Sequence, residues 1–215
     1  MNVLYEDQQV IVCVKPAGIA SETRAIGQQD MVSLLRNYLK QKGEPPEIHL
    51  IHRLDQPVEG LMVFAKNAKA AASLSSQLAK GGFGKHYYAV IDNMDFPAQG
   101  LLEDYLLKEA RGNQSKVVAA STKNAKKAVL SYQVIAKKQD RQLLDIKLET
   151  GRHHQIRVQL SSRQAPIVGD SKYGGLKTGR PLALCSYHIA FKHPATDQQM
   201  EFTIKPDGED FSFGF

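Results

Sequence analysis

The stretch HLIHRLDQPVEGLMVFAKN, residues 49–67, decides how this chain is read. Its ends are apolar and strand-like, with Leu50 and Ile51 before and Leu61, Met62, Val63 and Phe64 after. Between them lie His52, Arg53 and Asp55, then Pro57, Glu59 and Gly60. Proline and glycine at such spacing turn a chain back on itself. The run therefore predicts two strands flanking a charged turn. Charge is tolerated there if the turn is exposed or if its groups do chemistry. Taken alone, Asp55 reads as a turn aspartate bonded to its own backbone.

Working outward, residues 8–18 (QQVIVCVKPAG) predict a short buried strand stopped by Pro16-Ala17-Gly18. Residues 30–43 predict a helix: Met31, Leu34, Leu35, Tyr38 and Leu39 recur at three- and four-residue spacing, Asp30 caps the start and Gly43 ends it. Asn67 caps a second, alanine-rich helix that stops at Gly81-Gly82. KHYYAVI (85–91) is a strand, and residues 129–138 and 141–150 pair through a turn near Gln139-Asp140. Residues 111–128 are polar and basic, a surface loop or hairpin. In GRHHQIRVQLSSR (151–163) the apolar spacing leaves a short helix open without deciding it. Residues 182–194 and 199–206 close as strands. Strands outnumber helices and the two do not alternate. That favours α+β, with one domain over residues 1–215 and a mixed, largely antiparallel central sheet flanked by helices.

The 215 residues are 42% hydrophobic, enough for a globular core without staples. A formal net charge of +6 suits a polyanionic partner without demanding one. Cys13, inside VIVCV, reads as core, and no cysteine or histidine spacing suggests zinc. The N-terminus MNVLYEDQQV lacks a signal peptide's basic and apolar regions, and no run reaches the ~20 apolar residues of a membrane span. The expectation is a soluble, cytoplasmic protein with no membrane association, monomeric in the simplest case. No Walker-type phosphate loop or dinucleotide fingerprint occurs, so neither metal nor cofactor is expected.

The polar interruption HQIRV places Arg157 as a second charged group within an apolar segment, after Arg53. An arginine beside a carboxylate favours its charged form and fixes its orientation. A carboxylate so held can act as a nucleophile. At this point the chain resembles the RluA-type pseudouridine synthases, enzymes that isomerise uridine to pseudouridine in RNA. The resemblance is carried in one collinear order by VCVKPAG (12–18), HRLD (52–55), KHYYAVI (85–91), GRHHQIRVQL (151–160), PIVGDSKYGG (166–175) and FKHPAT (191–196). Each pattern is weak by itself; six in sequence are specific.

The resemblance implies that Asp55 is the catalytic carboxylate, that Tyr87 stacks against the target base and that Arg157 pairs with Asp55 in the pocket. It implies that Arg53 helps open the RNA and hold the nucleotide out, with His52 and Leu54 of the same signature beside it. His154, Gln155 and Ile156 would line the pocket wall. The partner would be ribosomal or transfer RNA. Tyr87 and Tyr88 face opposite sides of their strand, and only the motif selects Tyr87. Lys15, Lys66 and Lys85 read as solvated lysines. With Lys116, Lys123, Lys126 and Lys127 they are candidates for contacts to the RNA backbone.

Two departures stand out. The family's threonine-serine pair after the aspartate is Val58-Glu59 here, and its late leucine-histidine-alanine reads Leu184-Cys185-Ser186. The chain also begins almost at the expected catalytic domain, without room for the S4-like domain many relatives carry. Two other readings compete: a non-catalytic RNA-binding or RNA-folding module on the same scaffold, and a glycosidase using Asp55 with Glu59. The second has no reliable carboxylate geometry behind it.

Overall fold

The computed structural model describes residues 2–23, 27–174, 179 and 181–215. These divide into two compact units, one within residues 1–85 and 186–206, the other within residues 86–185 and 207–215.

In the first unit, β1 (Asn2–Glu6) pairs antiparallel with β2 (Val10–Lys15), β2 with β4 (Glu59–Ala65), and the two-residue β3 (His49–Leu50) with β4. Strand β10 (Leu184–Lys192) lies beside β4 and carries β11 (Gln199–Thr203) antiparallel on its other edge. Val10, Val12, Leu61 and Val63 of β2 and β4 pack with Ala70 and Leu74 of α2 (Ala68–Ala79) and with Phe83, Ile189 and Phe191. The alternate residues Ile11, Cys13, Met62 and Phe64 are equally inaccessible. Both faces of these strands are covered, which is why VIVCV and LMVF read as unbroken apolar runs rather than alternating ones. Burial pushes the Cys13 thiol up to about 12, which suits an inert core residue.

Helix α1 (Met31–Gln41) starts as its sequence requires. Asp30 accepts from the Ser33 amide at 2.7 Å while its own amide donates to the Ser33 hydroxyl at 3.1 Å, a reciprocal cap. Met31, Leu35 and Leu39 form the buried stripe. Asn67 caps α2 by its side chain alone, accepting from the Ala70 amide at 2.9 Å. Beside α1, Glu6 meets Lys42 and Lys66 at 2.8 Å each. These lysines and Tyr38 overcome the opposing pull of burial and hold its carboxyl at about 2. Lys66 is thus engaged by Glu6 and Glu44 at only 10% side-chain exposure, and is not the solvated lysine expected of it.

In the second unit, β5 (Gly84–Ile91) pairs antiparallel with β9 (Arg141–Leu148), β9 with β8 (Lys126–Lys138), β8 with β6 (Gln99–Lys108) and β6 with β7 (Ser115–Val118). Gln139 turns the β8–β9 hairpin with φ 55°. Helix α3 (Gln155–Ser161) packs on β6 and β7, and its residues 155–160 are all buried. The fold is α+β with a largely antiparallel sheet, as the sequence implied. No described helix is long and apolar enough to cross a membrane.

Candidate active site

The charged turn belongs to the first unit and is built by the segment just after β2. Gly18 donates its amide to the Gln56 carbonyl at 2.9 Å, and the Gln56 side chain returns a bond to the Gly18 carbonyl at 3.0 Å. The Ser21 hydroxyl donates to the Leu54 carbonyl at 2.8 Å and accepts from the Leu54 amide at 3.0 Å. Val58 donates to the Asp55 carbonyl at 3.0 Å and closes the turn around Gln56-Pro57. Asp55 is half-buried at its apex. The residues on both sides of it are therefore pinned through their backbone.

Lys15 does the central pinning, which the sequence reading missed. Its side chain is fully inaccessible, not solvated. The ammonium donates to three carbonyls: Pro16 at 2.9 Å, Ile19 at 2.6 Å and Gln56 at 3.0 Å. Three acceptors match the three N–H groups of a charged amine. Burial pushes its pKa down to about 8, with Asp55 and Glu59 pulling the other way. The signal available in the sequence was a lysine ending a strand whose every other residue is apolar.

Each sequence-named residue of the turn has a distinct place. Arg53 is exposed, its guanidinium 3.3 Å from Glu22. Leu54 is 6% exposed and His52 9%. His52 accepts from the Val63 amide at 3.2 Å and meets Phe83 edge-on, so it holds the turn against β4. Burial first, and the charge of Lys85 second, push its imidazole down to about 3. Gly60, the second residue of β4, has φ +131°, and a Cβ there would stand 2.4 Å from the Ser186 carbonyl oxygen. The glycine lets β4 and β10 touch. Glu59, in place of a hydroxyl residue, lies half-buried and adds its field to that of Asp55 at Lys15.

The remaining named residues all belong to the second unit. Tyr87 sits on β5 opposite Ile146 and is 6% exposed. Tyr88 points to the other face, its ring 5.0 Å from that of Phe215. Helix α3 carries the others. His154 precedes it in left-handed backbone, φ 55°. Gln155 accepts from the Thr150 hydroxyl at 2.7 Å and the Arg152 amide at 3.0 Å, and donates to the Val129 carbonyl at 3.1 Å, tying the 150–152 turn to β8. Ile156 is buried. Arg157 grips Asp170 with Nε at 2.7 Å and Nη2 at 2.8 Å, the pair being 4% and 1% exposed. A buried bidentate pair fixes the guanidinium plane. Asp170 and Tyr173 both lie in the quoted PIVGDSKYGG stretch, yet sequence alone gave them no role; its last glycine, Gly175, lies outside the described residues. Among the described residues no group of three His, Cys, Asp or Glu could hold a metal ion.

Residues 9–162 match the family model described as RNA pseudouridylate synthase. The chain is 33% identical over 202 residues to an uncharacterized RNA pseudouridine synthase of Bacillus subtilis, covering 92% of this chain and 66% of that protein. It is 30% identical over 218 residues to ribosomal large subunit pseudouridine synthase D of Zymomonas mobilis, covering 94% of this chain and 68% of that protein. The chain thus spans about two thirds of the length of these relatives. Among solved structures, human RNA pseudouridylate synthase domain containing 4 shares the fold, with a TM-score of 0.79, 24% identity and coverage of 96% of this chain and 89% of that one.

Proposed function

The chain belongs to the RNA pseudouridylate synthase family, and from that premise we propose that it isomerises specific uridines of ribosomal or transfer RNA, with Asp55 as the reacting carboxylate. The uracil must leave its ribose, rotate and rejoin through carbon. No hydride or phosphoryl group moves. A stacked base cannot rotate, so the nucleotide is flipped out at a cost of a few kcal/mol. Tyr87 offsets part of this by stacking, worth ~1–3 kcal/mol per base. Asp55 then assists glycosidic cleavage, by attack on the sugar or by taking a proton from it. Arg157, its plane locked by Asp170, serves as a fixed cation toward the RNA. Exposed Arg53 contacts the RNA backbone beside the flipped nucleotide.

The observation that carries this reading is the double tether around Asp55. Leu54 is held by Ser21 and Gln56 by Lys15 and Gly18, so the backbone that carries one carboxylate is fixed to a degree that a passive surface turn does not need. The test uses RNA carrying tritium at uracil C5. The protein releases tritium from it, and Asp55→Ala abolishes release while leaving RNA binding intact. Release undiminished by that substitution removes Asp55 from the chemistry. No release from any ribosomal or transfer RNA by the unaltered protein leaves the binding-module reading in its place.

A further inference from the structure

We infer that Tyr173 is a positioning residue for Arg157, holding its guanidinium from below while Asp170 holds it from the edge; the inference deepens the isomerase reading and rests on it for its kinetic arm. The Arg157 guanidinium carbon lies over the Tyr173 ring, 5.1 Å from its centroid. A guanidinium over an aromatic face is attracted by the ring's electron density, most strongly where water is excluded. Arg157 is 4% exposed.

The ring is itself held at its far end. The Ser115 amide donates to the Tyr173 hydroxyl at 2.8 Å, and that hydroxyl lies 2.7 Å from His154 Nδ1. The phenol oxygen is thus held both by the amide and by the imidazole, which share it as hydrogen-bond partners. The left-handed backbone of His154 puts its ring at a right angle to Tyr173, 5.5 Å away. His153 stacks on His154 at 3.8 Å and is fixed in turn by the Ser115 hydroxyl at 2.8 Å and Asn113 at 3.0 Å. Ser161 donates to the Tyr173 carbonyl from the end of α3. Tyr173 is thus clamped by β7, by the start of α3 and by its last turn. A tyrosine present only to fill space against Leu106, Ala128 and Val158 would need its ring and not this hydroxyl clamp.

Two substitutions separate the roles. Tyr173→Phe keeps the ring and loses the clamp; Tyr173→Leu loses both. On the full chain, kcat for tritium release falls ~5-fold in Tyr173→Phe and ~100-fold in Tyr173→Leu, with KM for RNA changing less than about twofold, since misplacing a catalytic group costs chemistry rather than uniform binding. In parallel, exchange of the Arg157 Nε–H with water is followed by nitrogen-15 NMR, its signal assigned by its loss in Arg157→Lys. Exchange is ~10-fold faster in Tyr173→Leu and intermediate in Tyr173→Phe. Unchanged exchange in both variants overturns the inference whatever kcat does, and so does unchanged kcat in an active, folded Tyr173→Leu protein. If the unaltered protein releases no tritium yet the exchange responds, the isomerase reading fails and the positioning role stands. Should Tyr173→Leu not fold, Tyr173→Phe alone decides by the same two measurements.

Discussion

At the scale of single residues, polar side chains in this chain act as fasteners where a sequence reads them as surface. His52 is the sharpest case, because its burial carries a pH dependence. Its folded pKa, about 3, lies below the 6.5 of an unfolded histidine. Between those values the unfolded chain binds the extra proton, so stability from this residue is present above pH 6.5 and is lost as pH falls toward 3. Urea unfolding at pH 7 and pH 4 measures it. The unaltered protein loses up to about 1.4 kcal/mol per pH unit from this one group. His52→Gln, which still offers an acceptor to the Val63 amide, is less stable at pH 7 but loses less on acidification. An equal acid loss in both proteins assigns the effect to other groups.

At the scale of elements, the strand pair β4–β10 depends on the absence of one methyl group. Gly60→Ala places a Cβ 2.4 Å from the Ser186 carbonyl oxygen and 2.6 Å from its amide nitrogen, at a φ that alanine avoids. Both contacts are backbone and cannot swing away, so the expected destabilisation is roughly 2–5 kcal/mol by chemical denaturation. A loss under ~1 kcal/mol would mean that the strands separate readily. Elements of this chain were legible wherever a local signal marked them. Asp30 and Asn67 announce their helices because a cap is made by residues three apart. The turn at 52–60 announced itself by charge between apolar runs. Strand β1 gave no such signal, being five residues long and only half covered, and β6 was hidden in a polar region with Leu101 63% exposed. Helix α3 stayed undecided because it is seven residues long and buried all round, leaving no apolar stripe to count. Asp170 and Tyr173 were missed as site residues because their partners Arg157 and Ser115 lie 13 and 58 residues away, and the link from Lys15 to the turn runs to Gln56, 41 residues away. Local pattern carries no record of such pairings.

At the scale of the whole molecule, the net charge of +6 is the quantity that the proposed RNA substrate meets first. Lys116 and Lys127 are paired with Glu109 and Glu103 at 3.3 and 2.9 Å, while Lys126, the first residue of β8, and Lys123 just before it are exposed. Exposed pairs of this kind contribute little and exchange partners easily. Each phosphate neutralised releases counterions, so affinity falls linearly in log–log with salt. Lys123→Gln combined with Lys126→Gln is expected to weaken RNA binding and to flatten that slope by about 0.7–0.9 for each phosphate contact removed. A filter-binding series over potassium chloride reads the slope. An unaltered slope takes this arm away from the RNA backbone.

The burial of Lys15 reaches beyond the turn it anchors. An amine that solvent never touches is chemically silent: acylating and alkylating reagents that mark surface lysines must wait until residues 15–21 lift away. Its modification therefore keeps time with that opening rather than with the reagent. One nitrogen atom serves as a recorder of how often the apex around Asp55 comes undone.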